Sequence, residues 1–205
     1  MKQSLVQRLL APARAGNPRL TQGSIVTLLL LSAGCLLAAP WIMPPGYSWL
    51  THTTSESAAQ ALEGAWLARL GFILFGLAVI WLASFKSPVW ARAAVWFHLA
   101  FGVCMVGTAA FSHHPWLAGV PFDPVEDILH SLTATVMGFA FALGVVVRFW
   151  QRGTEDRVGR VLDVTAVAAA TFLPLLMATQ PEIIGLLQRL MFAVAYLWYG
   201  REALA

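Results

Sequence analysis

The chain contains 205 residues, of which 59% are hydrophobic and only 11% are charged. Soluble domains carry roughly 25% charged residues, so this composition excludes an ordinary soluble enzyme or binding domain. The net charge of +3 does not indicate nucleic-acid binding, because every basic and aromatic segment borders a long apolar run. The composition predicts an integral membrane protein of one domain, with membrane lipids and not nucleic acid as partners.

Six apolar segments are long enough to cross a hydrocarbon core of about 30 Å. A basic segment, residues 1–22, precedes them and is expected to contain a short interfacial helix at Leu5–Leu10. Residues 31–35 are similar to a lipoprotein cleavage box, but Ser32 stands where such boxes usually have Leu, so we expect an uncleaved first helix. The transmembrane domain is predicted to cover residues 23–202, with spans at 24–43, 62–85, 88–111, 124–150, 161–178 and 182–200.

Two short motifs predict where helices begin. Ser87 is a good N-cap, and Pro88 suits the first position of the helix that follows. Asp123 predicts a second N-cap before Pro124, and Glu126 stands three residues after Asp123, where a carboxylate can reach back to the cap.

Lysine and arginine residues are distributed unevenly between the two sides of the predicted bundle. With both termini in the cytoplasm, the loops on the opposite side contain no basic residue, whereas an odd number of spans would break this pattern. The charges therefore predict a six-span, multi-pass membrane protein with both ends in the cytoplasm. The basic residues on that side are Lys2, Arg8, Arg14, Arg19, Lys86, Arg92, Arg148, Arg152, Arg157, Arg160 and Arg201.

The two remaining cations, Arg69 and Arg189, lie within predicted spans, roughly 10 Å from the outer surface at 1.5 Å per residue. An arginine inside a membrane usually faces the bundle interior or a wet cavity. We therefore predict a polar cavity that opens to the extracytoplasmic side, while the cytoplasmic half is expected to consist of packing residues. The polar residues near the outer face are Glu56, Glu63, Asp123, Glu126, Asp127, Glu182, His52, His113, His114 and His130.

Two roles are open for the intramembrane arginines. Arg69 and Arg189 can bind an anionic group such as a lipid phosphate or carboxylate, with Glu56 as a further ligand-binding residue. Alternatively, they pair with Glu63, Glu56 or Asp127 and hold helices together, or they extend outward to the interface. The sequence favours neither role over the other.

The histidines near the outer face suggest a catalytic or metal site. His113, His114 and His130 are candidate zinc ligands, and a zinc ion with an open coordination position activates water for hydrolysis. Asp127 stands three residues before His130, so the two side chains share one helix face. His130 and Asp127 are the candidate catalytic residues, either as metal ligands or as a general base and its orienting carboxylate. The alternative is an ordinary interfacial turn with solvated histidines.

Three short motifs carry a family resemblance: Ser55-Glu56 after the first predicted span, Gly71-Phe72 in the second, and Leu129-His130 early in the fourth. With these motifs the chain resembles, over about residues 24–200, a bacterial membrane family known as domain of unknown function 998. The resemblance implies a six-helix bundle of the bacterial inner membrane, with Glu56 and His130 among the characteristic polar positions. A more distant likeness is to the superfamily of alkaline ceramidases and adiponectin-type receptors, in which seven helices hold zinc with three histidines.

Two classes of function follow from these observations. The first is an enzyme or binding protein for a lipid or other anionic amphiphile, with hydrolysis as the expected reaction and zinc as the candidate cofactor. The second is a structural or accessory subunit of a complex with other membrane proteins. A small transporter is less favoured, because no span is interrupted near its middle by paired glycine or proline residues and no inverted repeat is evident.

Overall fold

A computed structural model describes residues 17–205, so the expected helix at Leu5–Leu10 lies outside the described residues. Six helices of the described part are long and apolar enough to cross a membrane, and with them the predicted all-α, six-span fold is confirmed. One-turn 3-10 helices at Ala39–Ile42 and Pro181–Ile183 extend the first and last of these helices. In chain order the α-helices of the described residues are α1 Pro18–Ala38, α2 Thr54–Ser57, α3 Ala65–Lys86, α4 Arg92–Ala110, α5 Pro124–Gln151, α6 Arg157–Met177 and α7 Ile184–Leu204.

The long helices pack in chain order and close into a bundle. Each of α3, α4, α5, α6 and α7 contacts the long helix before it, and α7 also returns to α1. Antiparallel packing of consecutive helices gathers the loops at two ends. We name these the histidine-rich end (residues 43–64, 111–123 and 178–183) and the arginine-rich end (residues 86–92 and 151–157, with the start of α1 and the end of α7).

Aromatic side chains fill the centre of the bundle. Phe75 of α3 stacks on Tyr196 of α7, with ring centroids 4.2 Å apart. Tyr199, which is completely buried, contacts Phe101 of α4 and Phe141 of α5 at 5.2 and 5.6 Å. These rings therefore join α3, α4, α5 and α7 in one apolar core, and each buried aromatic removes a large area from the surroundings.

A close approach between α3 and α4 depends on two glycines. A Cβ atom at Gly76 would lie 2.6 Å from the carbonyl oxygen of Gly102, and one at Gly102 would lie 2.8 Å from the carbonyl oxygen of Gly76. Small residues at a helix crossing allow such backbone contact in membrane proteins. A Cβ atom at Gly138 of α5 would meet nothing within 4 Å among the described residues, so close packing does not explain that glycine.

Several helix boundaries differ from the prediction; α6, for example, begins at Arg157, four residues before the predicted start at 161. α1 begins at Pro18, because Asn17 accepts a hydrogen bond from the Arg19 amide at 3.1 Å, and the helix includes residues assigned to the basic segment. The predicted cap at Ser87 was wrong: α4 begins four residues after Pro88, and the residues between them form a turn. α7 continues to Leu204, beyond the predicted end.

Candidate functional site

A short loop at the histidine-rich end folds back over the bundle and carries α2. Thr53 caps α2 by accepting a hydrogen bond from the Glu56 amide at 3.1 Å, and the Glu56 carboxylate accepts from the Thr53 amide at 2.6 Å. This reciprocal pair is a capping box. The Glu56 carboxylate thus has a local structural partner. A ligand bound to Glu56, as predicted from the sequence, would compete with this hydrogen bond.

Arg189 of α7 holds the same loop from below. Its guanidinium donates to the carbonyl oxygens of Trp49 and His52 at 2.5 and 2.8 Å, to that of Gly185 at 3.0 Å, and to the Tyr47 hydroxyl at 2.7 Å. Burial raises the pKa of Tyr47, and the nearby Arg189 offsets part of that increase. Four acceptors from its own chain occupy Arg189, which therefore positions the loop.

Arg69 of α3 has fewer partners. Its Nε donates to the Ala58 carbonyl oxygen at 3.0 Å and its Nη2 to that of Ala59 at 2.9 Å, just after α2. Among the described residues, no carboxylate lies within 4 Å of the guanidinium of Arg69 or of Arg189, so the predicted pairing with Glu63, Glu56 or Asp127 is wrong. Two of the five N–H groups of the Arg69 guanidinium donate to these carbonyl oxygens, and no other described residue accepts a hydrogen bond from the remaining three.

Arg69 lines an open pocket of about 440 Å³ between the loop after α2 and the start of α5. Its wall combines cationic, anionic and apolar groups, and the apolar ones include Pro121 and Phe122. The full lining is Gln60, Ala61, Arg69, Pro121, Phe122, Asp123 and Glu126.

The two acids of the pocket already have partners within the chain. Asp123 caps α5 by accepting from the Val125 amide at 2.8 Å, as predicted. Glu126 does not reach back to the cap; its carboxylate instead accepts from the Ser112 amide at 2.7 Å. The capping-box prediction at Asp123 and Glu126 was therefore half wrong, because a loop amide competes for Glu126.

Gln60 is the residue of this end that sequence reasoning missed. Its side chain is buried and donates to the carbonyl oxygens of Ser112 and Asp123 at 2.9 and 3.0 Å, while its Oε1 accepts from the Asp123 amide at 2.7 Å. Its main-chain amide donates to the His113 carbonyl oxygen at 2.9 Å. Gln60 thus fixes the pocket and the histidine segment together. No sequence motif marks it, because its partners are all main-chain groups.

His113 and His114 lie in an irregular segment after α4, and both point at Asp127 of α5. The Nδ1 atom of His114 is 3.1 Å from each Asp127 oxygen, and that of His113 is 3.8 Å from Oδ1. Asp127 also accepts from the His114 amide at 2.8 Å, which fixes the direction of the segment. The structure therefore brings His113, His114 and Asp127 together, and one nitrogen or oxygen from each falls within 4.8 Å of the others.

His130 lies deeper in the bundle than this group. Its Nδ1 is 2.8 Å from the Phe111 carbonyl oxygen and 3.2 Å from that of Thr108, and the ring is buried. Its ring centroid is 5.4 Å from that of His113. Carbonyl acceptors require a proton on Nδ1, which leaves Nε2 as the basic nitrogen. Asp127 bonds to His114 and not to His130.

A family model described as "Protein of unknown function (DUF998)" matches residues 24–203, which include all six long helices except the start of α1 and the last residue of α7. The chain belongs to this family. No curated protein matches the chain, and no solved structure does. The predicted DUF998 resemblance is confirmed, whereas the likeness to the ceramidase and receptor superfamily stays a prediction.

The arginine-rich end of this DUF998 bundle contains a buried ionic network, so the prediction that this half consists of packing residues was wrong. Arg152 donates to Asp163 at 2.7 Å, to Glu202 at 2.6 Å and to Asp156 at 2.8 Å. Burial lowers the pKa of Arg152, but hydrogen bonds to Asp163 and Glu202 outweigh this effect and raise it overall. Arg148 adds a bond to Glu202 at 3.1 Å.

A signal for this network was present in the sequence. Asp163 lies inside the fifth predicted span, and an acid within a membrane segment requires a partner. It is completely buried and accepts a hydrogen bond from the Trp198 indole at 2.7 Å in addition to the Arg152 bonds. The network joins α5, α6 and α7 of the DUF998 bundle. With Arg201, which bonds to Asp156 and Glu202, it contains three cations and three anions.

Proposed function

We propose that this DUF998 protein binds the polar head of an anionic amphiphile, such as a membrane lipid, in the pocket beside Arg69. The observation that supports this most is the position of Arg69. Its cationic side chain is half-buried in the wall of an open pocket, and it has no carboxylate partner among the described residues. A guanidinium in partly dry surroundings binds a phosphate or carboxylate strongly. We assign anion binding to Arg69 and loop positioning to Arg189.

The apolar part of the pocket supports an amphiphile over a small water-soluble anion. Phe122 is 46% exposed, and on α5 Val125 and Ile128 are 62% and 66% exposed. These side chains offer a surface for an acyl chain next to the charged group. Glu126 in the same wall weakens the attraction for an anion, so its neutralisation is expected to tighten binding.

Hydrolysis is the reaction that we propose for a bound ester. Water is activated beside His114 and Asp127, its oxygen attacks the ester carbon, the bond to the leaving alkoxide breaks, and that alkoxide receives the proton from the water. The supporting geometry is the contact of Asp127 with the His114 Nδ1 atom at 3.1 Å, the arrangement of a base with its orienting carboxylate. The pair predicted from the sequence, His130 with Asp127, lacks such a contact.

We also propose that the histidine-rich end faces away from the cytoplasm of a bacterial inner membrane. The distribution of lysine and arginine between the two ends supports this orientation. With Cys35 and Cys104 replaced by Ala, a membrane-impermeant maleimide applied to intact spheroplasts should label Thr51→Cys and not Glu155→Cys. Labelling of Glu155→Cys and not of Thr51→Cys would indicate the opposite orientation.

The binding proposal is tested on the purified full chain in detergent with two probes that share their tails, dihexanoyl phosphatidylglycerol and dihexanoyl phosphatidylcholine. The anionic lipid should bind more tightly, and Arg69→Gln should weaken its binding at least about 10-fold, as expected for loss of a charge-assisted contact. Glu126→Gln should strengthen it. Arg92→Gln, an exposed arginine at the opposite end, is the control with the same charge change. If wild type and Arg69→Gln are both folded and bind the anionic lipid with equal affinity, anion binding in this pocket is contradicted.

A further inference from the structure

We infer that His113, His114 and Asp127 form a binding site for a divalent transition metal, with zinc the best fit. The atoms that point at one another are two imidazole nitrogens and a carboxylate oxygen, a ligand set common in zinc sites that keep an open position. This ligand set differs from the triad predicted by sequence, because Asp127 takes the place of His130. The site stands independently of amphiphile binding, and in the proposed hydrolysis the metal would activate the water in place of the His114–Asp127 pair, whose atoms would be its ligands.

The distances between the ligand atoms suit one small ion. Bonds from zinc to nitrogen and oxygen of about 2.0–2.1 Å imply tetrahedral edges of about 3.3 Å between neighbouring ligands. The observed separations from Asp127 Oδ1 are 3.1 Å to the Nδ1 atom of His114 and 3.8 Å to that of His113. All three ligand atoms lie within 4.8 Å of one another, so the His113 ring has to move closer to the other two ligands to complete the geometry.

The three ligands are held by a rigid main-chain framework. The His114 amide donates to Asp127 at 2.8 Å, and the Gln60 amide donates to the His113 carbonyl at 2.9 Å. The two imidazoles lie with centroids 4.1 Å apart although their residues are adjacent. The irregular backbone between α4 and Pro115 makes this possible, since adjacent side chains in a regular strand point to opposite faces.

The cluster is accessible to a metal ion from water. The side chains of His113, His114 and Asp127 are 25%, 47% and 23% exposed. Two hydrogen bonds must be exchanged on binding. His113 Nδ1 lies 2.9 Å from the His114 carbonyl oxygen and His114 Nδ1 lies 3.1 Å from Asp127, and both nitrogens have to present a lone pair to the metal instead.

The pocket beside Arg69 adjoins the proposed metal. Phe122, which lines that pocket, has its ring centroid 5.7 Å from that of His114. A fourth, open coordination position would hold water, and a bound divalent ion lowers the pKa of such a water enough to provide hydroxide near neutral pH. This is the role that the metal would have in the proposed hydrolysis.

The test uses the full chain purified through a tag that contains no histidine. The protein is stripped with EDTA, equilibrated with Zn²⁺ alone, freed of excess metal and analysed by inductively coupled plasma mass spectrometry. We expect about one zinc per chain in wild type and loss of most of it in Asp127→Asn and His114→Gln. Asp127→Asn keeps an oxygen acceptor for the His114 amide, so it is expected to fold.

Two controls separate this ligand set from its competitors. His52→Gln, at the same end but outside the cluster, should bind zinc like wild type. His130→Gln should keep most of the zinc, because the His130 Nδ1 atom bonds to carbonyl oxygens and its ring only contacts that of His113. Zinc bound equally by wild type and Asp127→Asn, zinc lost with His130→Gln alone, or a wild type that binds none would each overturn the site. Lipid affinity of Asp127→Asn, measured separately, reports on the pocket and not on the metal.

Discussion

Arg152 and Asp163 form a bidentate ion pair across the junction of α5 and α6. The Nε atom of Arg152 donates to Oδ2 of Asp163 at 2.7 Å, and Nη2 donates to Oδ1 at 3.2 Å. Both side chains are almost completely buried. Because Arg152 also bonds to Glu202 near the end of α7, one guanidinium connects three helices.

Removal of one partner of this pair should destabilise the bundle strongly. Asp163→Asn leaves a buried guanidinium with less compensating charge, and breaking a buried pair typically costs about 3–5 kcal/mol. Since Glu202 remains beside Arg152, we expect about 3 kcal/mol, measured as the free energy of unfolding in mixed micelles. Glu155→Gln, which changes an exposed acid of the same loop, should stay within about 0.5 kcal/mol of wild type. A similar stability of both variants would contradict the structural role of the pair.

Asp156 predicts a pH dependence of stability at the same end. Its pKa falls to about 2, because it accepts a hydrogen bond from the Gly159 amide and also bonds to Arg152 and Arg201. A carboxylate with a lowered folded-state pKa stabilises the protein above its unfolded-state pKa, and that contribution disappears as the pH falls toward the folded-state value.

The stability difference between wild type and Asp156→Asn should therefore be constant above about pH 4 and shrink between about pH 4 and pH 2. Melting temperatures of the two proteins over this pH range provide the measurement. A difference that is independent of pH, or one that grows toward pH 2, would show that the Asp156 carboxylate is not bonded in this way.

Gly144 and Gly138 lie on the same helix, α5, but should respond differently to a methyl group. A Cβ atom at Gly144 would lie 2.8 Å from the Nε2 atom of the buried His98, whereas nothing among the described residues lies within 4 Å of one at Gly138. Gly144→Ala should cost about 1–3 kcal/mol through overpacking. Gly138→Ala should be neutral or slightly stabilising, because alanine favours a helix more than glycine does. Equal effects of the two substitutions on thermal unfolding would contradict the close contact between Gly144 and the His98 ring.

The fold could be predicted from the sequence because few structures can place six long apolar segments in a membrane. A membrane core of about 30 Å requires helices of about 20 residues, and six such segments leave short connections. Helix ends were harder to predict. Thr53 with Glu56 and Asp123 with Glu126 have the same spacing, and only the first pair forms the capping box. A loop amide, that of Ser112, decides the difference, and the path of a loop cannot be derived from local spacing.

The candidate site was predictable in position and less so in its contacts. The depth of Arg69 and Arg189 in their helices placed both at the histidine-rich end, where the structure has them. Their actual partners are main-chain carbonyls, which every residue possesses and no pattern marks. The grouping of Asp127 with His113 and His114, and not with His130, depends on the backbone turn before Pro115.

Arg189 should control the mobility of the loop that it holds. Arg189→Gln removes bonds to the carbonyl oxygens of Trp49 and His52, so amide hydrogen exchange in residues 47–53 should accelerate by at least about 10-fold. Exchange in the core of α4 should not change. Arg92→Gln is the matched control, because Arg92 is exposed at the opposite end. Unchanged exchange in residues 47–53 would mean that other contacts hold the loop.

Gln60 should be the most sensitive polar residue of the histidine-rich end. Gln60→Glu keeps the acceptor for the Asp123 amide but replaces the amide group that donates to the carbonyl oxygens of Ser112 and Asp123. A carboxylate oxygen would then face two carbonyl oxygens in a buried place. Each unsatisfied buried group costs about 1–3 kcal/mol, so we expect a loss of at least about 2 kcal/mol in unfolding free energy.

Gln180→Glu makes the same chemical change at an exposed position of the same end and should have little effect. Because the side-chain donor lost in Gln60→Glu also bonds to the Ser112 carbonyl oxygen, next to His113, this variant should in addition speed hydrogen exchange in the segment that carries His113 and His114. A Gln60→Glu variant as stable as Gln180→Glu would show that the segment is held without this side chain, by main-chain bonds and by the bonds to Glu126 and Asp127.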